Sequence, residues 1–88
     1  MNAEPRVEIF GTTSCVYCMA ARTLFTRKGV AFKDLIVSDD PDQLALMRER
    51  SGRKSVPQIF IDGKHVGGFD EVDALEKSGR LDELLAAR

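Results

Sequence analysis

The sequence contains little of what marks the commoner classes of binding and structural proteins. Its 88 residues include no Trp, one Tyr, one His and two Cys. Lys and Arg number 13 against 14 Asp and Glu, so the net charge is −1 and no basic surface for nucleic acid or an anionic membrane is expected. Two cysteines are too few for the disulfide framework of a secreted domain. With one His and no further Cys, a closed four-ligand zinc site would also have to recruit carboxylates.

Long apolar segments are missing as well. The first six residues lack the apolar core of a signal peptide, and no uninterrupted apolar run approaches the length that crosses a bilayer. There is no internal repeat, no low-complexity tract and no linker rich in Pro, Gly or Ser. The sequence therefore predicts one soluble, cytoplasmic domain over residues 1–88, with the modest core that 43% hydrophobic residues allow.

The periodicity of the first half predicts a strand, a helix and a second strand. Residues 6–10 alternate charged and apolar side chains, as a half-buried strand does, and residues 16–28 repeat apolar side chains at helical spacing. Residues 30–37 then read as the second strand. Because two strands joined by so short a crossover through a helix lie parallel, we expect a parallel pair here.

The second half predicts a helix, a hairpin and two further helices. Asp40, which precedes a proline, is the expected N-cap of a helix that stops at Gly52. The dipeptide Asp62-Gly63 suits the tight primed turn of a β-hairpin. Asp70 is the expected N-cap of the next helix, and three leucines near the end give a short last one. The order is βαβαββαα, a mixed sheet flanked by helices, which is α/β in class.

Cys15 and Cys18 lie three positions apart between the first strand and the first helix. Inside a regular helix this spacing holds Cβ atoms roughly 5 to 6 Å apart, whereas a disulfide needs about 3.5 to 4.5 Å. A first cysteine at the less regular start of the helix can close the difference, and so small a loop gains little stability from a permanent bond. Reversible redox chemistry is therefore favoured over a structural disulfide, two packed hydrophobes or half of a metal site.

The helix start predicts different roles for the two thiols. Unpaired N–H groups and the positive end of the helix dipole favour a thiolate at Cys15, and in such settings the pKa of cysteine falls to roughly 3.5–7.5 from about 8.5. Cys15 is therefore the expected nucleophile. Cys18, one turn along the helix, is expected to attack the mixed disulfide formed on Cys15 and release the reduced substrate.

Four segments, CVYC, SVPQIF, IDGKHVGGFDEV and LDELL, together resemble the glutaredoxins, in particular the small bacterial ones with two cysteines. The likeness covers Val7 to Leu85. It implies a thioredoxin fold with a four-stranded mixed sheet and glutathione as co-substrate. It also implies an oxidoreductase that reduces protein disulfides with both cysteines and protein-glutathione mixed disulfides with Cys15 alone, with glutathione reductase as an indirect partner. We expect a monomer with no metal ligand.

The resemblance also implies a glutathione groove. Pro57 matches the family's cis-proline, which would turn the backbone of Val56 outward to pair with the cysteinyl part of glutathione. Backbone N–H groups of Phe69 and Asp70 would bind the γ-glutamyl carboxylate, while the Asp70 side chain would accept a hydrogen bond from the ammonium group. The residues predicted to bind glutathione are Thr12, Cys15, Tyr17, Ser55, Val56, Pro57, Gly68, Phe69 and Asp70.

Three positions depart from the family pattern. Val16 stands where many glutaredoxins have proline, Thr12 where a lysine often helps to hold the thiolate, and Leu44 where Gln or Arg is frequent. We therefore expect that the redox potential cannot be taken over from typical glutaredoxins and that glutathione binds more weakly than in them. Arg53 and Lys54, which end a basic cluster, are expected nearest the glycyl carboxylate of glutathione.

Loss of the proline leaves a second function open. Some glutaredoxins with other residues at this position hold a [2Fe-2S] cluster between two subunits through the first cysteine and glutathione, which would make this chain a carrier or sensor. A third possibility is an electron donor served by thioredoxin reductase, against which Tyr17 and the segment 68–70 argue. His65, in the return strand of the hairpin, is expected to face solvent and is assigned no role.

Overall fold

A computed structural model describes residues 5–86, which contain four strands and four helices. Their bounds are β1 Val7–Gly11, α1 Val16–Arg27, β2 Phe32–Ile36, α2 Pro41–Ser51, β3 Gln58–Ile61, β4 Lys64–Gly67, α3 Phe69–Lys77 and α4 Arg80–Ala86. The predicted order βαβαββαα is confirmed. Within this part of the chain, no helix combines the length and the apolar character needed to cross a membrane.

The four strands form one mixed sheet in the order β2-β1-β3-β4. β1 and β2 are parallel, whereas β1 with β3 and β3 with β4 are antiparallel. The hairpin turn has positive φ at both central residues, 54° at Asp62 and 79° at Gly63, as a type I′ turn requires. The α/β class and the mixed sheet predicted from the sequence are both confirmed.

The two faces of the sheet carry separate cores because successive side chains of a strand point in opposite directions. Val7 and Ile9 of β1 are buried in a cluster with residues of α1, β3, α3 and α4. Phe10 is buried in a second cluster with Met47 of α2 and Phe60 of β3. α1 therefore covers one face and α2 the other. Because α1 follows directly after β1, its first turn lies at the end of a central strand.

The helix starts follow the predicted caps in one case and depart from them in another. Asp40 caps α2, since its carboxylate accepts the N–H of Gln43 at 3.1 Å. The prediction that Asp70 is an N-cap is wrong. Gly68 is the N-cap of α3, and Asp70 already lies inside the helix. Glu71 at the third helical position reaches back to accept the Gly68 N–H at 2.6 Å, so this N–H is satisfied without the Asp70 side chain.

Candidate active site

Cys15 is the N-cap residue of α1. Its backbone is extended, with φ −82° and ψ 127°, and its Sγ accepts the N–H of Cys18 at 3.4 Å. The side chain is half-buried, and both cysteines are unpaired thiols. A sulfur at this position occupies the place that a Ser or Asp side chain takes in an ordinary N-cap. Cys15 is therefore accessible and directed at the positive end of the helix.

Cys18 has no solvent exposure. Its Sγ lies 3.5 Å from the backbone N of Thr12, which donates to it, and packs over Gly11 at the end of β1. A Cβ on Gly11 would lie 2.8 Å from this sulfur, which is closer than ordinary van der Waals contact. The absence of a side chain at Gly11 therefore makes the room that the buried thiol occupies.

The surroundings separate the pKa values of the two thiols. Burial alone raises the pKa of Cys15, but the Cys18 N–H, the Cys18 thiol, the Tyr17 N–H and the charge of Arg22 together outweigh it, so the pKa of Cys15 is lowered. For Cys18, burial is the largest influence and raises the pKa, and the neighbouring Cys15 raises it further. The N–H of Thr12 and the charge of Arg22 lower it in part. Cys15 is therefore the more readily ionised of the two thiols.

Arg22, which was not among the residues predicted from the sequence, supplies a positive charge to this site. It lies on α1, four residues after Cys18, and its guanidinium donates to the carbonyl of Thr12 at 2.8 Å and to Asp34 at 3.0 Å. Only 18% of its side chain is exposed. The spacing of four residues on a helix is the signal that could have revealed it, because such residues are neighbours on one face.

A groove of about 300 Å³ lies beside the start of α1, between the segment before β3 and the start of α3. It is lined by Tyr17, Arg53, Ser55, Val56, Pro57, Gln58, Gly68, Phe69, Asp70 and Glu71. Seven of the nine residues predicted to bind glutathione are in this set. Thr12 and Cys15 are not, although Cys15 lies two residues before Tyr17. The Val56-Pro57 peptide bond is cis.

The walls of the groove are held by polar contacts among its own residues. Gln58 is fully buried, and its amide nitrogen donates to the Ser55 carbonyl at 2.9 Å and hydroxyl at 3.2 Å. Arg53 contacts the Glu71 carboxylate at 3.4 Å. At one end, the rings of Tyr17 and Phe69 lie 6.1 Å apart. The groove thus combines aromatic surface with fixed backbone and charged groups.

Two of these lining residues, Gln58 and Glu71, were not among the residues predicted from the sequence. A polar residue directly before the apolar run of β3 and an acidic residue three positions after a helix N-cap were the available signals. Of the two basic residues expected near the groove, Arg53 lines it and Lys54 does not. Leu44 packs against the second core cluster and does not line the groove either.

The prediction that His65 faces solvent is wrong. His65 is half-buried, its Nε2 lies 2.7 Å from the side-chain oxygen of Gln58, and its ring packs 5.1 Å from that of Phe60. Burial and the charge of Arg53 lower the pKa of His65. The buried amide of Gln58 explains the departure, because a fully buried side-chain oxygen needs a hydrogen-bond donor.

The sheet is mixed, and two thiols lie at the start of the helix that follows its central strand. This arrangement defines the class of thioredoxin-fold proteins with a redox-active cysteine pair. The glutaredoxin family model matches residues 7–66, which is more than half of the chain. The chain belongs to the glutaredoxin family. Membership implies thiol-disulfide oxidoreductase activity.

Individual relatives agree with this assignment. Glutaredoxin 3 of Escherichia coli K12 is 46% identical over 79 residues, covering 90% of this chain and 95% of its own length. A probable glutaredoxin of Synechocystis is 41% identical over 86 residues, with 97% and 98% covered. The buckwheat glutaredoxin-glutathione complex superposes with a TM-score of 0.83 at 30% identity, covering 92% of this chain and 76% of that one. The predicted family and fold are confirmed.

Proposed function

We propose that this protein is a cytoplasmic, glutathione-dependent oxidoreductase that reduces protein disulfides and protein-glutathione mixed disulfides. The observation that carries the proposal is the placement of Cys15, a half-buried thiol with a lowered pKa at the N-terminus of α1, beside a groove of about 300 Å³. A related glutaredoxin from buckwheat was solved in complex with glutathione. The tripeptide is therefore the ligand we assign to the groove.

The reaction begins with the Cys15 thiolate. It attacks the substrate disulfide, forms a bond to one sulfur and expels the other as a thiolate, which takes up a proton from solvent. For a protein-glutathione mixed disulfide, the glutathione sulfur is retained on Cys15 and the protein thiol leaves. A second glutathione, as its thiolate, then attacks that sulfur, so oxidised glutathione departs and Cys15 is regenerated.

Protein disulfides require both thiols. The protein first becomes bonded to Cys15, and Cys18 then attacks the Cys15 sulfur, so the Cys15-Cys18 disulfide forms while the bond to the protein breaks. Two molecules of glutathione reduce this internal disulfide and leave as oxidised glutathione. Burial of Cys18 fits this role, because its sulfur contacts the partner thiol and is shielded from solvent.

In the groove, we assign backbone recognition to the segment around Val56. Val56 and Pro57 both line the groove, and an extended glutathione can pair with the backbone of this segment as an added strand does. N–H groups at Phe69 and Asp70, in the first turn of α3, suit the γ-glutamyl carboxylate because the helix start carries partial positive charge. Thr12 lies outside this groove, so its predicted contact with glutathione rests on the resemblance alone.

The test compares the wild-type protein with Cys18→Ser and Cys15→Ser. Each is assayed for NADPH oxidation with glutathione and glutathione reductase, on a glutathionylated peptide and on a protein disulfide. We expect Cys18→Ser to retain the first activity and lose the second, and Cys15→Ser to lose both. Equal loss of both activities in Cys18→Ser would contradict the division of roles. Activity with thioredoxin reductase but none with glutathione would overturn the glutathione dependence.

The spectrum of the same protein tests the alternative that the sequence left open. A [2Fe-2S] cluster shared by two subunits would give a brown dimer when the protein is purified without oxygen in the presence of glutathione. We expect a colourless monomer by visible absorption and gel filtration. A brown dimer whose reductase activity appears only after loss of colour would assign the protein to cluster transfer or sensing instead.

A further inference from the structure

We propose that Arg22 is a positioning residue for the resolving step, in which it stabilises the anion of Cys18 and fixes the backbone group that faces the sulfur. The inference rests on the proposed two-thiol mechanism and assigns this step to a residue outside the CVYC motif. Three features of the structure support it: the position of the guanidinium, its hydrogen bonds and the burial of Cys18.

The first feature is the position of the guanidinium. Arg22 follows Cys18 by one helical turn on α1, so the two side chains share a face. A Cβ built on Gly11 would have the Cys18 sulfur at 2.8 Å and an Arg22 Nη2 at 3.3 Å as near neighbours. Sulfur and guanidinium therefore both converge on the end of β1.

The second feature is how the guanidinium is held. Nη2 donates to the carbonyl of Thr12 at 2.8 Å and Nε donates to Asp34 on β2 at 3.0 Å. The N–H of the same Thr12 donates to the Cys18 sulfur at 3.5 Å. Thr12 thus connects the two side chains, with its N–H on the sulfur and its C=O on the guanidinium. Arg22 acts on Cys18 both through its charge and through this shared residue.

The third feature is the burial of Cys18, which makes ionisation costly. A thiolate with no solvent exposure loses the water that would otherwise stabilise it. Cys15 has the Cys18 N–H, the Cys18 thiol, the Tyr17 N–H and, as a smaller influence, the charge of Arg22 to stabilise its anion. For Cys18 the stabilising groups are the Thr12 N–H and Arg22. In the mixed disulfide, moreover, Cys15 carries no charge, so its repulsion of a Cys18 thiolate disappears while the attraction of Arg22 remains.

The chemistry balances without a further reactant. Cys18 loses its proton to solvent, and its thiolate attacks the Cys15 sulfur of the mixed disulfide. The Cys15-Cys18 bond forms as the bond from Cys15 to the substrate sulfur breaks, and the substrate thiolate leaves with the electron pair. The two cysteines are oxidised to a disulfide and the substrate sulfur is reduced. Arg22 exchanges neither proton nor electrons, so it is not itself a catalytic residue.

The experiment uses reduced protein and a single equivalent of dithiobis(nitrobenzoate), an aromatic disulfide whose released thiolate is yellow. Attack by Cys15 releases a first yellow thiolate, and attack by Cys18 on the resulting mixed disulfide releases a second. Both rates are followed by stopped flow across a pH series for the wild type, Arg22→Gln, Arg22→Lys and Asp34→Asn. Arg50→Gln is the matched control, since Arg50 is also a partly buried guanidinium in an ion pair, with Glu8, but packs on Phe60.

The rate of the second release should rise with pH, and its midpoint is the pH at which the rate is half its maximum. We expect Arg22→Gln to raise this midpoint by about one pH unit and to slow the second release about tenfold at pH values below it, because one unit of pKa is a tenfold change. The first release should change less. Arg22→Lys should recover most of the rate and Asp34→Asn should lower the midpoint, while Arg50→Gln should match the wild type.

Two outcomes would overturn the inference. One is that Cys18-dependent release of the thiolate in Arg22→Gln is as fast as in the wild type at every pH. The other is that Arg22→Gln and Arg50→Gln slow this release equally. If Arg22→Gln fails to fold, a midpoint in Asp34→Asn that is unchanged or raised would contradict it. Absence of the first release in the wild type would instead refute the role of Cys15 in the proposed function, so the two failures are distinguishable.

Discussion

Gly11→Ala is expected to strain the buried thiol and to destabilise the fold. The added Cβ would lie 2.8 Å from the Cys18 Sγ, 3.2 Å from the Cys18 Cβ and 3.3 Å from the Arg22 Nη2, all of them side-chain atoms. Since ordinary contact begins near 3.4 Å, the sulfur has to retreat by roughly 0.6 Å from its place beside the Thr12 N–H. Cys18 is fully buried and packed by its neighbours, so this movement meets resistance.

The expected cost is about 1–3 kcal/mol, the usual range for one excess methyl group in a packed interior. For a domain of this size, each kcal/mol lowers the melting temperature by about 4–8 °C. The second release of the aromatic thiolate should also slow, because the displaced sulfur loses its hydrogen bond to Thr12. Urea unfolding under reducing conditions gives the free energy, and stopped flow gives the rate.

A double-mutant cycle isolates the sulfur contact. In Cys18→Ala the sulfur is absent, so adding Gly11→Ala should cost at least about 1 kcal/mol less than it does in the wild type, a coupling energy within the range found for residues in contact. The Cβ of Cys18 and the guanidinium of Arg22 remain close, so some cost persists. An equal cost of Gly11→Ala in both backgrounds, or no cost in the wild type, would refute the reasoning.

Three further predictions test other parts of the molecule. The rate at which iodoacetamide alkylates Cys15 should reach half its maximum at a pH below about 8.5, the ordinary pKa of cysteine, while Cys18 stays unmodified. A half-maximal rate at or above that pH would contradict the lowered pKa of Cys15. The hydrogen bonds from Arg50 lower the pKa of Glu8 in the folded protein. The stability that this pair contributes is therefore present at pH values above the pKa of Glu8 in the unfolded chain, and it is lost as the pH falls through the pKa of Glu8 in the folded protein. Glu8→Gln should therefore cost about 1 kcal/mol in urea unfolding near neutral pH and little in acid, whereas a pH-independent cost would mean that charge is not involved. Phe25→Ala, at a fully buried position, should cost about 3–5 kcal/mol by the same measurement, and a loss below about 1 kcal/mol would contradict its place in the core.

The order of elements and the class of sheet could be predicted from the sequence because the signals are local. The positive φ values at Asp62 and Gly63 follow from a dipeptide suited to a type I′ turn, and the cap at Asp40 follows from its proline neighbour. The start of α3 was harder to predict because both Gly68 and Asp70 are acceptable N-cap residues. An Asp70 cap agrees with the preference of Asp for that position, whereas the pair of Gly68 and Glu71, three positions apart, agrees with a capping box, and the structure has the second arrangement.

The candidate site was predictable where local spacing or a family motif marks it. The cysteines, the segment around Pro57 and the start of α3 carry such motifs, and most of the predicted residues line one groove. The contacts of Arg22 and Gln58 could not be predicted, because they depend on which carbonyl, sulfur or hydroxyl the fold brings near each side chain. The burial of His65 likewise depends on the amide of Gln58 across the hairpin.

The central position of β1 has a consequence for the newly made chain. Val7 pairs with Ile61 of β3, so the strand that leads into the thiol pair gains its second neighbour only when the hairpin has been synthesised. Until then, the edge of β1 that later pairs with β3 is open. The buried face of α1, which carries Phe25, also lacks the core residues that β3 and α3 supply. A ribosome-bound fragment that ends before β3 should therefore carry two sulfurs of ordinary reactivity. Although both cysteines lie in the first quarter of the sequence, their distinct chemistry belongs to the completed chain.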